Sequence, residues 1–258
     1  TVEPLYNLYW RRLSESCCAH GGLVVDVGSN FGYYALYAAT LGCRVLAWEP
    51  VPIFRAFLRL GVSLNNLTDR VHIRQAVVSD VAGKVLKMQV PTRGIWGTAS
   101  VSGLNVDPAI ASKTYTVEAR TETLDQFVFE QPCAMKLDVE GYEPWVVAGA
   151  KRMLREYPPQ MVLTEYTPGV MERARKWKEI PRYPASLEAF ASSGYRLYHL
   201  RGVSKHSVQG GDWSSIDLPA LDEVTRGTLA AEAKNADNMA RDADGGPGFS
   251  VPWDVHPL

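Results

Sequence analysis

Residues 23–34 read LVVDVGSNFGYY, and the fold of the chain is decided here. A largely apolar run, Leu23–Val27, leads directly into Gly28, which is typical of a parallel strand that is covered on both faces. Gly32 follows four residues later and precedes a stretch with helical spacing of apolar residues. The pattern predicts a buried strand, a glycine turn and a helix. In open parallel sheets, ligands bind at such a turn, past the carboxyl end of the strand.

The turn itself discriminates between two classes of cofactor. A dinucleotide-binding turn carries G-x-G-x-x-G, so that the backbone can approach a pyrophosphate. Here Asn30 stands at the position of the second glycine, which argues against NAD. The turn suits a ligand with a charged amino-acid end, because Asp26 can face an ammonium and loop amides near Gly28 can face a carboxylate. S-adenosylmethionine (SAM) is such a ligand, and we interpret the turn as its site.

The next two strands supply the nucleoside side of the predicted site. The second strand ends in Glu49, about twenty residues after the turn, where an acidic residue accepts hydrogen bonds from ribose hydroxyls. The alternative is that Asp26 is a helix cap and Glu49 a loop charge. The third strand, Arg70–Val78, should pass near the adenine. The predicted cofactor-binding residues are Asp26, Gly28, Ser29, Asn30, Gly32, Tyr33, Glu49, Pro50, Ala76 and Val77.

A second cluster of charges reads KLDVEGYE and spans residues 136–143. Strand alternation points Lys136 and Asp138 to the same side, and Asp138 should face the reactive end of the cofactor. Glu165 ends the next strand in the same manner. Converging carboxylates could act as a general base, steer a substrate or hold a divalent metal; no metal is predicted. The alternative is a salt-bridged loop, with Glu143 as a helix cap. The predicted catalytic residues are Lys136, Asp138, Glu140 and Glu165.

The alternation of strands and helices predicts an α/β fold with a doubly wound, mostly parallel sheet. Between residues 84 and 120 two half-exposed strands flank a stretch rich in Gly, Ser and Thr. This pattern predicts an inserted β-hairpin, and such insertions commonly line an active site. We divide the chain into an N-terminal helical segment (1–22), a main domain (23–218) and a C-terminal helical or irregular appendage (219–258).

The composition is that of an ordinary globular protein. Of 258 residues, 46% are apolar and 21% are charged, and the formal net charge is −1. This balance gives no basic excess that would attract nucleic acid or an anionic membrane. No apolar run reaches the length of a membrane span, and no signal peptide is recognisable at Thr1. Because the chain does not begin with methionine, a removed anchor or targeting segment stays open. No oligomeric state is predicted.

The four cysteines show no metal-binding spacing. Cys43 and Cys133 lie at predicted strand starts and are interpreted as buried thiols. The adjacent Cys17 and Cys18 do not easily fit one disulfide framework. This interpretation favours a reducing compartment such as the cytoplasm. One glycosylation sequon, Asn66-Leu67-Thr68, is by itself weak support for secretion.

Together, the segments DVGSNFGYY, EPVP, AVVSD and KLDVEGYE and the strand that ends in Glu165 resemble the FkbM-type SAM-dependent methyltransferases. The resemblance runs from about Leu23 to about Tyr166. It implies a seven-stranded class I methyltransferase sheet and O-methylation of a hydroxyl on a sugar, a glycan or another small molecule. It also implies that SAM is bound by Asp26, Gly28, Asn30, Gly32 and Glu49 and that the active site contains Asp138 and Glu140.

Methyl transfer from a sulfonium is an in-line displacement, which requires a group that removes the proton of the attacking hydroxyl. We take Asp138 as the base or as a group next to it. Three other functions are weighed: a nucleic-acid base N-methyltransferase, a dinucleotide-dependent oxidoreductase and a non-catalytic SAM-binding scaffold of the same fold. The first would usually carry an Asn/Asp-Pro-Pro-aromatic loop where this chain has residues 138–141, DVEG. Asn30 disfavours the second, and the Asp138 cluster would be unnecessary in the third.

Overall fold

Strands and helices alternate along much of the chain in the computed structural model, which describes residues 4–93, 96–106, 111–167, 169–199 and 222–242. Within these ranges the strands are β1 (Leu23–Val27), β2 (Arg44–Trp48), β3 (Val71–Arg74), β4 (Val77–Val78), β5 (Val85–Pro91), β6 (Ser100–Val101), β7 (Thr114–Glu122), β8 (Ala134–Leu137), β9 (Val162–Thr164), β10 (Leu197–His199) and β11 (Asp222–Val224). The α-helices are α1 (Pro4–Cys18), α2 (Tyr33–Thr40), α3 (Pro52–Leu64), α4 (Glu143–Ala148), α5 (Lys151–Glu156), α6 (Gly169–Arg173), α7 (Arg182–Ser192) and α8 (Arg226–Asp242).

Five parallel strands form the main sheet, in the order β3-β2-β1-β8-β9. The central strand is β1, where Val25 lies between Leu46 of β2 and Met135 of β8. Val24 packs with α1, α2 and α3 on one face, whereas Val25 packs with α4, α5 and α7 on the other. Both faces of β1 are therefore covered, which explains its unbroken apolar run. The predicted α/β fold with a parallel sheet is confirmed.

The direction in which strands are added reverses beside β1. The chain first builds outward from β1 to β2 and β3, and later builds outward on the other side through β8 and β9. A crevice forms at such a switch point because the two flanking connections leave in opposite directions. The glycine turn after β1 and the charged loop after β8 both lie at this crevice.

A second sheet has four strands in the order β4-β7-β5-β6, and residues of β4, β5 and β6 line the crevice. Its β5 and β7 pair antiparallel from Val85–Arg120 to Pro91–Thr114. The strand predicted at Arg70–Val78 is divided between the sheets, since β3 belongs to the main sheet and β4 pairs with β7. After β7 the chain forms a single 3₁₀ turn, Leu124–Gln126.

The main sheet does not reach seven strands within the described residues. β10 pairs antiparallel with β11 rather than joining the main sheet. In the C-terminal segment, Glu232 of α8 accepts a hydrogen bond of 3.2 Å from Tyr166. Over the described parts of the chain, we find no helix with the length and hydrophobicity needed to cross a bilayer.

All four cysteines form disulfides, so the interpretation of Cys43 and Cys133 as buried thiols was wrong. Cys17 is bonded to Cys133 and Cys18 to Cys43, with Cα–Cα distances of 5.6 and 4.4 Å, which are usual for disulfides. The pairing works because β2 and β8 begin at the same edge of the sheet, on opposite sides of β1. The end of α1 crosses this edge, and adjacent cysteines reach one strand each. With all four cysteines in disulfides, they no longer favour a reducing compartment.

Candidate active site

The glycine turn brings three strand ends together. The amides of Gly28 and Ser29 both donate to the carbonyl of Trp48, at 3.1 and 3.0 Å. Gly28 has a φ of +81°, and a Cβ atom on it would lie 1.9 Å from the carbonyl oxygen of Asp138. Only glycine permits this contact between the turn after β1 and the loop after β8. The two motifs that stand out in the sequence thus touch in the structure.

Glu49 is held by the backbone at the edge of the cleft. Its two carboxylate oxygens accept hydrogen bonds from the amides of Asn30, at 2.8 Å, and Val51, at 2.7 Å. Burial raises the pKa of Glu49 to about 7, and these amide bonds oppose the rise. Because each carboxylate oxygen can accept more than one hydrogen bond, Glu49 can still bind hydroxyl groups. The side-chain oxygen of Asn30 is buried and accepts no hydrogen bond from the described residues.

The cleft at the switch point is largely apolar and has polar groups at its ends. Its walls come from the ends of β1, β2 and β8, from β4 and from the segment between β5 and β6. Eight predicted site residues line it, namely Gly28, Asn30, Glu49, Pro50, Ala76, Val77, Asp138 and Glu140. The other lining residues are Val27, Trp48, Val51, Phe54, Val78, Met88, Gly97, Ala99, Val101, Val139 and Tyr142.

Three predicted cofactor-binding residues shape the turn without lining the cleft. Gly32 faces α3, because a Cβ atom on it would lie 2.2 Å from Cδ1 of Leu58. Tyr33 is exposed. The hydroxyl of Ser29 donates to the carbonyl of Asp26 at 3.0 Å. Ser29 and Gly32 close the turn and pack α2 against α3. Because none of the three residues lines the cleft, their direct contact with a cofactor stays a prediction.

A buried lysine lies between two aspartates beneath the cleft. Nζ of Lys136 is 3.1 Å from Oδ2 of Asp138 and 3.9 Å from Oδ1 of Asp26, and it donates to the carbonyl of Gly28 at 3.1 Å. Asp26 is fully buried; burial raises its pKa and the charge of Lys136 opposes the rise. The ammonium that Asp26 faces in this structure is therefore that of Lys136. Of these three charged side chains, only that of Asp138 lines the cleft.

Glu140 is a carboxylate with a strongly altered acidity at the cleft. Burial and the charge of Asp138 raise its pKa to about 8. Its φ of +57° is unusual for a residue other than glycine. The side-chain amide of Asn105 donates to Glu140, and Arg173 donates to the side-chain oxygen of Asn105 at 2.8 Å. Asn105 lies between β6 and β7, and no sequence pattern indicated it.

Glu143 organises the loop in which Glu140 lies. One of its oxygens accepts hydrogen bonds from the amides of Val139, at 2.8 Å, and Gly141, at 3.3 Å. Burial raises the pKa of Glu143 to about 7. Carboxylate oxygens of Asp138, Glu143 and Glu165 lie within 4.8 Å of one another, an arrangement that could hold a divalent cation. Glu165 does not line the cleft described above.

Comparison with known proteins identifies the family. A family model of the methyltransferase FkbM domain matches residues 26–197. The chain belongs to the FkbM methyltransferase family. The match contains the glycine turn, Glu49 and the KLDVEGYE loop, and it confirms the resemblance drawn from those motifs. Membership of the FkbM family implies that the chain uses SAM.

Solved structures show only a distant likeness to this FkbM-family chain. The methyltransferase FkbM from Methylobacillus flagellatus KT is 16% identical, with a TM-score of 0.41. The match covers 63% of this chain and 37% of that protein. An O-methyltransferase from Bacillus cereus in complex with SAH is 13% identical, with a TM-score of 0.37, over 74% of each chain. Among curated proteins, none matches. None of these likenesses bears on the substrate.

Proposed function

We propose that this FkbM-family protein is a SAM-dependent O-methyltransferase that acts on a hydroxyl of a sugar or glycan. The observation that carries the proposal is Glu140, a carboxylate with a pKa of about 8 in the wall of the cleft. A hydroxyl must lose its proton as its oxygen attacks a methyl group. A base is most effective when its pKa lies near the working pH, and an ordinary carboxylate, with a pKa of about 4, does not meet this condition.

The residues of the cleft fit the nucleoside part of SAM. Glu49 has lone pairs left for ribose hydroxyls, and Asn30 offers a buried oxygen that no described residue uses. The small side chains of Ala76 and Val77 leave room for an adenine ring beside Trp48. When bound, SAM supplies an electrophilic methyl group. The remaining chemistry belongs to the protein, which must orient the hydroxyl, exclude water and accept the proton.

We assign the role of general base, which accepts the proton of the hydroxyl, to Glu140 and a positioning role to Asp138. Asp138 forms an ion pair with Lys136, whereas Glu140 is held by the neutral amide of Asn105. Both carboxylates line the cleft, so either can direct an incoming hydroxyl. Orientation of this kind contributes about 7–11 kcal/mol to barrier reduction in favourable cases. Asp138, which the sequence pointed to as the base, is retained as the rival candidate.

Ligand binding tests the cofactor assignment. Thermal unfolding should be measured with S-adenosylhomocysteine and, separately, with NAD. We expect stabilisation by S-adenosylhomocysteine and none by NAD. Stabilisation by NAD alone would overturn the assignment and favour an oxidoreductase.

Methyl transfer tests the reaction. Wild type, Glu140→Gln, Asp138→Asn and the surface control Glu118→Gln should be screened with labelled SAM against glycans, lipids and small phenols. We expect wild type and Glu118→Gln to label an oxygen of a glycan. Glu140→Gln should bind S-adenosylhomocysteine and fail to turn over. If Glu140→Gln turns over normally while Asp138→Asn is inactive, the base is Asp138.

A further inference from the structure

A second cavity, of about 510 Å³, adjoins the cofactor cleft. One side consists of residues from β5 and the segment after β6, and the other side consists of Trp145 and residues 175–179. Val101 and Tyr142 line both this cavity and the cofactor cleft. The volume is that of a typical small-molecule site. A ligand bound in this cavity would contact Val101 and Tyr142, the two residues that also line the cofactor cleft.

Aromatic rings form part of this cavity. The rings of Tyr142 and Trp145 stack with centroids 4.6 Å apart and planes inclined by 2°. Trp177 contributes a further indole to the lining. Such rings combine a flat apolar face with a polar group at the edge. They suit a ligand that has both an apolar face and many hydroxyl groups, as a sugar ring has.

Positive charge also gathers at the cavity, although the whole chain has a net charge of −1. Its lining includes Arg175, Lys176 and Lys178, against one acidic side chain, Glu179. Glu179 already pairs with Arg182 at 2.5 Å. Among the described residues, Arg175 and Lys176 have no ion-pair partner. Both are exposed. The cavity is therefore locally cationic, and an anionic ligand would complement it.

We propose that this second cavity binds the methyl acceptor and that the acceptor is an anionic sugar, one that carries a carboxylate, phosphate or sulfate group. The proposal rests on the function proposed above. Arg175 and Lys176 bind the anionic group, and Trp177 packs against the sugar ring. For methyl transfer the acceptor hydroxyl extends past Val101 and Tyr142, which line both spaces, into the cofactor cleft that Glu140 lines.

Sugar binding without turnover tests this proposal. Calorimetry with the S-adenosylhomocysteine complex should compare glucuronic acid, glucose 6-phosphate, glucose 6-sulfate and neutral glucose. We expect at least one anionic sugar to bind about tenfold more tightly than glucose, and to bind more weakly as salt is raised. The strongest of the three identifies the anionic group. Equal affinity for glucose and all three anions would overturn the proposal.

Variants locate the binding. The double variant Arg175→Ala, Lys176→Ala should lose the tenfold preference, whereas the control Lys151→Ala, Arg155→Ala on α5 should keep it. An unchanged preference in the first variant would place the sugar elsewhere and overturn the proposal. Each variant should still bind S-adenosylhomocysteine. If wild type binds S-adenosylhomocysteine and no sugar, only this inference fails; if it does not bind S-adenosylhomocysteine, the proposed function itself fails.

A different observation concerns the outer surface of the chain. All four cysteines are paired in disulfides, an arrangement typical of oxidising compartments. The sequon Asn66-Leu67-Thr68 lies directly after α3. Asn66 and Thr68 are exposed, whereas Leu67 is buried and anchors the turn. A glycan on Asn66 would therefore extend into solvent without displacing the core.

The disulfides and the exposed sequon together lead us to infer that the chain matures in an oxidising compartment and carries an N-linked glycan on Asn66. In this modification Nδ2 of Asn66 loses a proton and bonds to the anomeric carbon of an oligosaccharide. The bond from that carbon to a lipid diphosphate breaks, and the diphosphate leaves. The inference does not depend on the methyl acceptor or on the cofactor.

Mass spectrometry of the chain purified from its own source tests this inference. Digestion without reduction should give peptides cross-linked through Cys17–Cys133 and Cys18–Cys43. Treatment with a peptide N-glycosidase should leave a deamidation mark at residue 66. Asn66→Gln should lack the glycan, whereas the neighbouring control Asn65→Gln should retain it. Four alkylated cysteines, or an unmodified Asn66 in the native chain, would overturn the inference.

Discussion

The side-chain amide of Asn105 donates a hydrogen bond to the carboxylate of Glu140, across 35 residues of sequence. Arg173 holds Asn105 from its other side, at 2.8 Å. The pKa of Glu140 is about 8 because burial and the charge of Asp138 raise it more than this hydrogen bond lowers it. The segment between β6 and β7 thus reaches the residue that we assign as the base.

Replacing Asn105 with alanine should shift the pH dependence of methyl transfer. The wild-type rate should rise with pH through about 8, since the base must be unprotonated. Without the hydrogen bond the pKa of Glu140 rises further, and the midpoint should move up by about one unit. The measurement is the rate against pH at saturating SAM. The exposed control Asn235→Ala should not move the midpoint, and a downward shift in Asn105→Ala would contradict the assignment.

Glu143 should make the stability of the fold depend on pH. Burial raises its pKa from 4.5 to about 7, so between these values the folded chain holds a proton that the unfolded chain has released. Its contribution is therefore fully present below pH 4.5 and is lost as pH rises through about 7. Glu143→Gln keeps an acceptor for the amides of Val139 and Gly141 but does not titrate.

Urea denaturation below and above this range tests the effect of Glu143. Between the two ends of the range, wild type should lose up to about 3 kcal/mol more stability than Glu143→Gln. The exposed control Glu118→Gln should follow wild type. Identical pH dependence in Glu143→Gln and wild type would show that Glu143 does not titrate in this range.

Alanine substitutions at Gly28 and Gly83 should distinguish the stability cost of backbone strain from the cost of a steric clash. Gly28 and Gly83 have nearly the same φ, +81° and +84°, but only Gly28 lies against another part of the chain, the carbonyl of Asp138. Gly83→Ala should cost about 1–2 kcal/mol of unfolding free energy from strain alone. Gly28→Ala should cost more and should also abolish binding of S-adenosylhomocysteine. Urea denaturation and calorimetry measure both effects; equal losses in the two variants would refute the contact.

The two disulfides should contribute unequally to stability. Cys17–Cys133 spans 116 residues and Cys18–Cys43 spans 25. If the main effect is on the entropy of the unfolded chain, the longer loop is worth about 5 kcal/mol and the shorter about 3.5 kcal/mol. The difference is measured by urea unfolding, without reductant, of two double variants. One carries Cys17→Ala and Cys133→Ala, and the other carries Cys18→Ala and Cys43→Ala. Reductant should destabilise wild type more than either variant, and no effect of reductant would contradict the pairing.

Local patterns were sufficient for much of the fold. The apolar run of Leu23–Val27, followed by glycine, predicted the central parallel strand, and the family assignment confirms the resemblance carried by the turn and the KLDVEGYE loop. The third strand was predicted as one piece, yet Arg74 and Val77 belong to different sheets. An apolar pattern indicates that a strand is buried, but it does not indicate which other strand pairs with it.

The local sequence was enough to indicate the parallel sheet, the glycine turn after its central strand and the family, since all three depend on neighbouring residues. The tertiary structure alone decided that Cys17 and Cys18 reach different strands and that Gly28 touches Asp138. It also decided that Asn105 meets Glu140. These contacts join residues far apart in the chain, and their energies depend on burial and distance, which exist only once the sheet has formed.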